Sequence, residues 1–159
     1  MLIDRDRAVR DAVADLLELD SAISVVGEAD SLAGALMILP GLEPDVVILD
    51  PRLPDGNGLQ ICRNLEAASA ATRCLILTSE VEPEPMLEAV RAGAAGYMIK
   101  DLTELAIADA VKAIAAGQSR LDGRSTQVLM HEWSRRHLNE RELVSMLTTH
   151  GDDNPVALG

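Results

Sequence analysis

The chain has 159 residues, a formal net charge of −12 and 48% apolar residues, with one Trp, one Tyr and no Phe. That is enough for one aliphatic core of ordinary domain size, and it argues against a basic nucleic-acid-binding surface: residues 1–118 hold 20 acids and 9 bases, residues 119–159 hold 6 and 5. No apolar run approaches a membrane span, and the charged start "MLIDRDRAVR" lacks a signal-peptide core, so a cytoplasmic protein with no membrane partner is expected.

The first apolar stretch is "MLI" (1–3). Residues 6–19 then place Val9, Val13, Leu16 and Leu17 on one helical face. "AISVVGEA" (22–29) predicts a strand. "SLAGALMIL" (31–39) predicts a helix with Ser31 as N-cap and Pro40-Gly41 as its stop. "DVVIL" (45–49) is a continuous apolar run, the mark of a strand covered on both faces. An amphipathic helix over 59–68 and a second buried strand over 73–79 follow. Next come a helix over 84–93 stopped by Gly93 and a strand over 95–99. The last of the series is a helix over 103–117, with Thr103 as N-cap, Glu104 in its first turn and Gly117 as its stop. Cys62 and Cys74 show no metal or redox spacing and read as free buried thiols.

Strands alternating with helices in this way predict a doubly wound α/β fold, with a five-stranded parallel sheet covered on both faces. After Gly117 the texture changes. Residues 118–123 read as a linker, 124–137 as a helix, and 138–151 as a second helix with Asn139 as N-cap. The tail "DDNPVALG" has no periodicity. His131, His137 and His150 do not share a helical face and read as surface residues.

The chemistry lies at the strand ends. Asp4 follows the first strand, Asp50 the third, Thr78 and Ser79 close the fourth, and Lys100 follows the fifth. In a parallel sheet these groups share one edge, where open α/β sheets bind their ligands. Taken singly, an Asp after an apolar strand is a turn former or helix cap. A haloacid-dehalogenase-type phosphatase wants a second Asp two places after the first, and Arg52 stands there, so no enzyme is expected.

The motifs Asp4, "DVVILDPRLPDGNGL", "LILTS" and "GYMIKD" come in the order and spacing of a known family. Over residues 1–118 the chain resembles the receiver domain of two-component response regulators, with the CheY-like (flavodoxin-like) fold, and most closely the NarL/FixJ (LuxR-type) group of transcription regulators. The resemblance implies that Asp50 accepts a phosphoryl group from a sensor histidine kinase. It implies that Lys100 and a magnesium ion neutralise the phosphoryl oxygens. The ion would be held by Asp4, Asp50 and the backbone carbonyl of Arg52. Thr78 would turn toward a phosphoryl oxygen, and Tyr97 matches the aromatic switch position.

Three departures stand out. The family carries two adjacent acids after strand one, whereas Arg5 follows Asp4 here and Asp6 comes one place late. Arg5 is expected to weaken the cation site, and an ion pair of Arg5 with Asp50 would mimic the cation or block it. The alternative reading is therefore a pseudo-receiver, an interaction module driven by partner binding. Only Met1-Leu2-Ile3 precede Asp4, so either the chain is truncated or its start lies upstream. Residues 119–137 then form a linker helix, and residues 138–159 resemble the first helix of a helix-turn-helix output domain followed by a loose tail. No recognition helix follows, so DNA binding is not expected, and pairing with a second copy or a full-length regulator would be the route to output.

Overall fold

The computed structural model describes residues 1–101 and 106–121, together with 127, 128, 130–132 and 135. The strands are β1 (Leu2–Ile3), β2 (Glu28–Ala29), β3 (Val46–Leu49), β4 (Arg52–Leu53), β5 (Gly56–Asn57), β6 (Arg73–Thr78), β7 (Gly96–Ile99) and β8 (Arg120–Leu121). The helices are α1 (Arg7–Glu18), α2 (Leu32–Leu42), α3 (Leu59–Ala67), α4 (Pro83–Arg91) and α5 (Ala106–Ala115). Six strands form a parallel sheet in the order β2-β1-β3-β6-β7-β8, and β4 and β5 form a small antiparallel hairpin.

The chain runs outward from β1 to β2, then crosses back to β3 on the other side of β1. That reversal opens a crevice above the C-terminal ends of β1 and β3. Alternation along the central strands splits the core in two. Val47, Leu49, Ile76 and Tyr97 face α2, α3 and α4 through Leu39, Ile61 and Met86. Val46, Ile48, Leu75 and Met98 face α1 and α5 through Val13, Leu17, Ile107 and Ile114. Every residue of β3 and β7 is buried, which is why both read as unbroken apolar runs.

Three expectations need correction. The sheet has six strands, not five. The extra one, β8, lies in the expected linker and pairs with Gly96 and Tyr97. It fits because Gly96 has no side chain: a Cβ there would meet the Arg120 carbonyl oxygen at 2.8 Å. The strand expected over 22–29 is confined to Glu28–Ala29, since β1 offers it a partner of only two residues. Helix α2 does not stop at Pro40 but includes it and ends at Leu42, capped by Glu43, whose φ of 43° is left-handed. Pro40 is exposed and sits in the last turn, so the hydrogen bond it cannot donate is lost where water reaches the backbone. Residues 52–57, directly after Asp50, fold into the β4–β5 hairpin.

The short first strand is fully bonded on both sides. Leu2 and Asp4 donate to Gly27 and Ala29, while Met1 and Ile3 accept from Ile48 and Asp50. Thr103 and Glu104, the expected start of the last helix, lie outside the described residues, as does the helix expected over 138–151. Of the helix expected over 124–137, the described residues 127, 128, 130–132 and 135 are helical. Among the described residues no helix is long and apolar enough to cross a membrane.

Candidate functional site

Backbone hydrogen bonds set the site's dimensions before any side chain is considered. The amide of Asp50 donates to Ile3, and the amide of Lys100 to Thr78. The register of β6 with β3 and β7 carries Asp4, Asp50, Thr78 and Lys100 to the same edge of the sheet. Asp4, Asp50 and Thr78 are buried there.

The ammonium of Lys100 ties the edge together. Its Nζ lies 2.6 Å from Asp50 Oδ2 and 2.7 Å from Asp4 Oδ2, with its side chain only 15% exposed. Burial alone would push the Lys100 ammonium down, but hydrogen bonds and charge from Asp4 and Asp50 outweigh it and raise it above its ordinary value. The other oxygen of each acid takes a backbone N–H: Asp50 Oδ1 accepts from Arg52 and Asp4 Oδ1 from Asp6, both at 2.8 Å. Arg10 reaches back from α1 and donates to the Asp4 carbonyl at 2.6 Å.

Thr78 accepts the Glu80 amide at 3.2 Å, and the buried Tyr97 donates its hydroxyl to the Glu80 carbonyl, also at 3.2 Å. The ring is thus turned inward, beneath the β6–α4 loop. The Arg52 guanidinium spans to that loop, donating to Ser79 Oγ at 2.6 Å and lying 3.4 Å from Glu80 Oε1.

Arg5 is the exception. It is exposed and, among the described residues, stands in no ion pair. The expected contact of Arg5 with Asp50 is absent because Lys100 already occupies that carboxylate. Asp6 does not replace the missing acid, because its carboxylate accepts the Ala8 amide and caps α1. Among the described residues no group of three or more His, Cys, Asp or Glu side chains is placed to hold a metal. Two carboxylates converging on one cation do fit a weak magnesium site, since that ion keeps several waters and takes one or two carboxylates.

Two features escaped the sequence reading. Asp6 stands directly before a helix, where an N-cap signal was legible. Asp55 caps the first turn of α2 across 23 positions, and no local pattern announces it.

Residues 1–112 match the response regulator receiver domain. The chain belongs to the response regulator receiver family. This receiver is 48% identical over 129 residues to the DNA-binding transcriptional activator DevR/DosR of Mycobacterium tuberculosis, covering 81% of this chain and 59% of that one. It is 37% identical over 109 residues to the probable transcriptional regulatory protein NarL of the same organism, covering 69% and 50%. The receiver thus spans only about half of the curated relatives it matches. The solved signal receiver domain of that NarL superposes with a TM-score of 0.68 at 34% identity, covering 74% of this chain and 94% of its own. A LuxR-family two-component response regulator from Aurantimonas superposes at 0.77 with 32% identity, covering 84% and 96%. The receiver is therefore of the NarL/DevR type, on the CheY-like fold.

Proposed function

We propose that this receiver accepts a phosphoryl group on Asp50 from a sensor histidine kinase of a two-component system. The observation that carries the reading is the Asp50 carboxylate, buried at the switch point of the sheet with Oδ2 held 2.6 Å from the Lys100 ammonium. A carboxylate so placed is aimed by the Arg52 amide and charge-balanced by Lys100.

In the transfer, an oxygen of Asp50 attacks the phosphorus of a phosphohistidine. The O–P bond forms, the P–N bond breaks, and its electron pair returns to the imidazole. Lys100 passes from the carboxylate to a phosphoryl oxygen, and the Thr78 hydroxyl leaves the Glu80 amide for another. Tyr97, already packed inward under the β6–α4 loop, holds that loop in place. Asp4, Asp50 and the Arg52 carbonyl would hold a magnesium ion, which would supply positive charge beside the phosphoryl oxygens.

A second reading is favoured by one feature. Lys100 already pairs with both buried acids, and Arg5 stands where a third acid would strengthen the cation site. A receiver arranged in this way would act as a pseudo-receiver, signalling by contact alone. We assign the receiver to residues 1–121, which takes in β8 beyond the expected boundary at 118, a linker helix to the residues between β8 and 137, and the beginning of a helix-turn-helix unit with a loose tail to 138–159. Output is assigned to pairing with a second copy or a full-length regulator in the cytoplasm, and sequence-specific DNA binding is not assigned to these residues.

The test is incubation with a small phosphodonor with and without magnesium, read by intact mass. The phosphoryl reading expects a magnesium-dependent single addition that Asp50→Asn abolishes. No addition to the unmodified protein would favour the pseudo-receiver. An addition that survives Asp50→Asn would remove Asp50 from the role.

A further inference from the structure

The hairpin that follows Asp50 is fastened to a helix that takes no part in the site. Asp55, at its tip, accepts the Leu32 amide on Oδ1 at 2.7 Å and the Ala33 amide on Oδ2 at 2.8 Å. Both donors belong to the first turn of α2, whose N–H groups have no partner within the helix. The carboxylate also meets the positive end of the helix dipole. A second contact fixes the same junction: a Cβ on Gly56 would meet Leu32 Cδ2 at 2.9 Å, so the hairpin backbone lies directly against that turn. Three residues before Asp55, the Arg52 amide donates to Asp50 Oδ1 at 2.8 Å. The base of the hairpin is closed by Gly58 donating to Pro51 at 2.7 Å.

We propose that Asp55 is a positioning residue for the acceptor site: by clasping the β4–β5 hairpin to α2, it holds the Arg52 amide on Asp50 and aims the Arg52 carbonyl. The proposal rests on the phosphoryl-accepting reading for its consequence, though not for its geometry. The hairpin has only two pairs of residues in its ladder, too few to keep its shape unaided. Its base is anchored by Asp50 and Gly58, by the buried Leu53 and by the Arg52 guanidinium on Ser79, and its tip by Asp55. Releasing the tip loosens the Arg52 amide on the carboxylate, and small displacements of a positioned group slow a reaction steeply. The two amides hold the Asp55 carboxyl below its ordinary value, so the clasp is charged throughout the neutral range.

Ser31 supplies the control. It caps the same helix end, accepting the Gly34 amide at 3.1 Å, and among the described residues it forms no hydrogen bond with the hairpin. Asp55→Ala, Asp55→Asn and Ser31→Ala are compared by amide hydrogen exchange and by the rate of phosphorylation from a small phosphodonor with magnesium. Asp55→Ala is expected to speed exchange of the Arg52 amide and slow phosphorylation about tenfold. Asp55→Asn, which keeps one acceptor oxygen, should fall between it and the unmodified protein. Ser31→Ala should lower stability and leave both readouts unchanged. If Asp55→Ala leaves Arg52 exchange and the rate unchanged, or Ser31→Ala matches it in both, Asp55 is only a helix cap and the proposal is overturned. If the unmodified protein takes up no phosphoryl group, that reading fails by itself, and Arg52 exchange alone decides whether Asp55 positions the site.

Discussion

Removing the Lys100 ammonium would leave two buried acids facing one another. Its Nζ lies 2.6 Å from Asp50 Oδ2 and 2.7 Å from Asp4 Oδ2, so those oxygens are no more than about 5 Å apart. Two unit charges at that distance repel by about 3 kcal/mol at an effective dielectric of about 20. Unpairing buried charges has a cost of similar size, about 3–5 kcal/mol. Lys100→Ala should therefore lower the unfolding free energy by about 3 kcal/mol at pH 7, read by urea titration with an unchanged slope. The sign of the pH dependence follows from the same pair. The folded Lys100 is raised above its ordinary value of 10.5, so its contribution is whole below that value and is lost as the pH climbs through the higher folded one. Adding Asp4→Asn to Lys100→Ala should recover part of the loss, with a coupling above about 0.5 kcal/mol. A Lys100→Ala protein within about 0.5 kcal/mol of the parent at pH 7 would refute the reasoning, since surface substitutions fall in that range.

Arg5→Asp should tighten magnesium binding about tenfold, or about 1.4 kcal/mol, by calorimetry; equal affinities would show that Arg5 is tolerated. Gly96→Ala should cost about 1–3 kcal/mol and expose the β8 amides to exchange, because the new Cβ meets both Arg120 and Ile114 at 2.8 Å. Protected β8 amides in that variant would show that the neighbours yield. Tyr97→Phe should cost about 0.5–1.5 kcal/mol through loss of its bond to the Glu80 carbonyl, with the ring still buried; a neutral effect on melting would remove that bond from the account.

The strands most legible in the sequence were those buried on both faces. Val46–Leu49, Arg73–Thr78 and Gly96–Ile99 announce themselves because neither face sees water. Sequence legibility fell where pairing, not burial, defines the element. Ile23 and Val25 pack partly buried against the core and so look like strand residues, yet β1 is too short to pair with them. Arg120 and Leu121 are exposed and carry no strand pattern; their pairing depends on the bare backbone of Gly96, far away in sequence. At the site, Asp4, Asp50, Thr78 and Lys100 could each be placed at a strand end, since an apolar run that stops in a polar residue marks that end. That Lys100 would bridge both acids, leaving Arg5 in solvent, required the register of four strands. The clasp of Asp55 on α2 is likewise a contact across the fold.

In the proposed function Asp50 is the group that carries the phosphoryl. The most direct test of that role is the chemical nature and position of the adduct formed with a small phosphodonor and magnesium. The account predicts an acyl phosphate: the label maps to the peptide containing Asp50 and is cleaved by neutral hydroxylamine, as a mixed anhydride must be. A hydroxylamine-stable label on a serine or threonine, or a label on His131, His137 or His150, would contradict it.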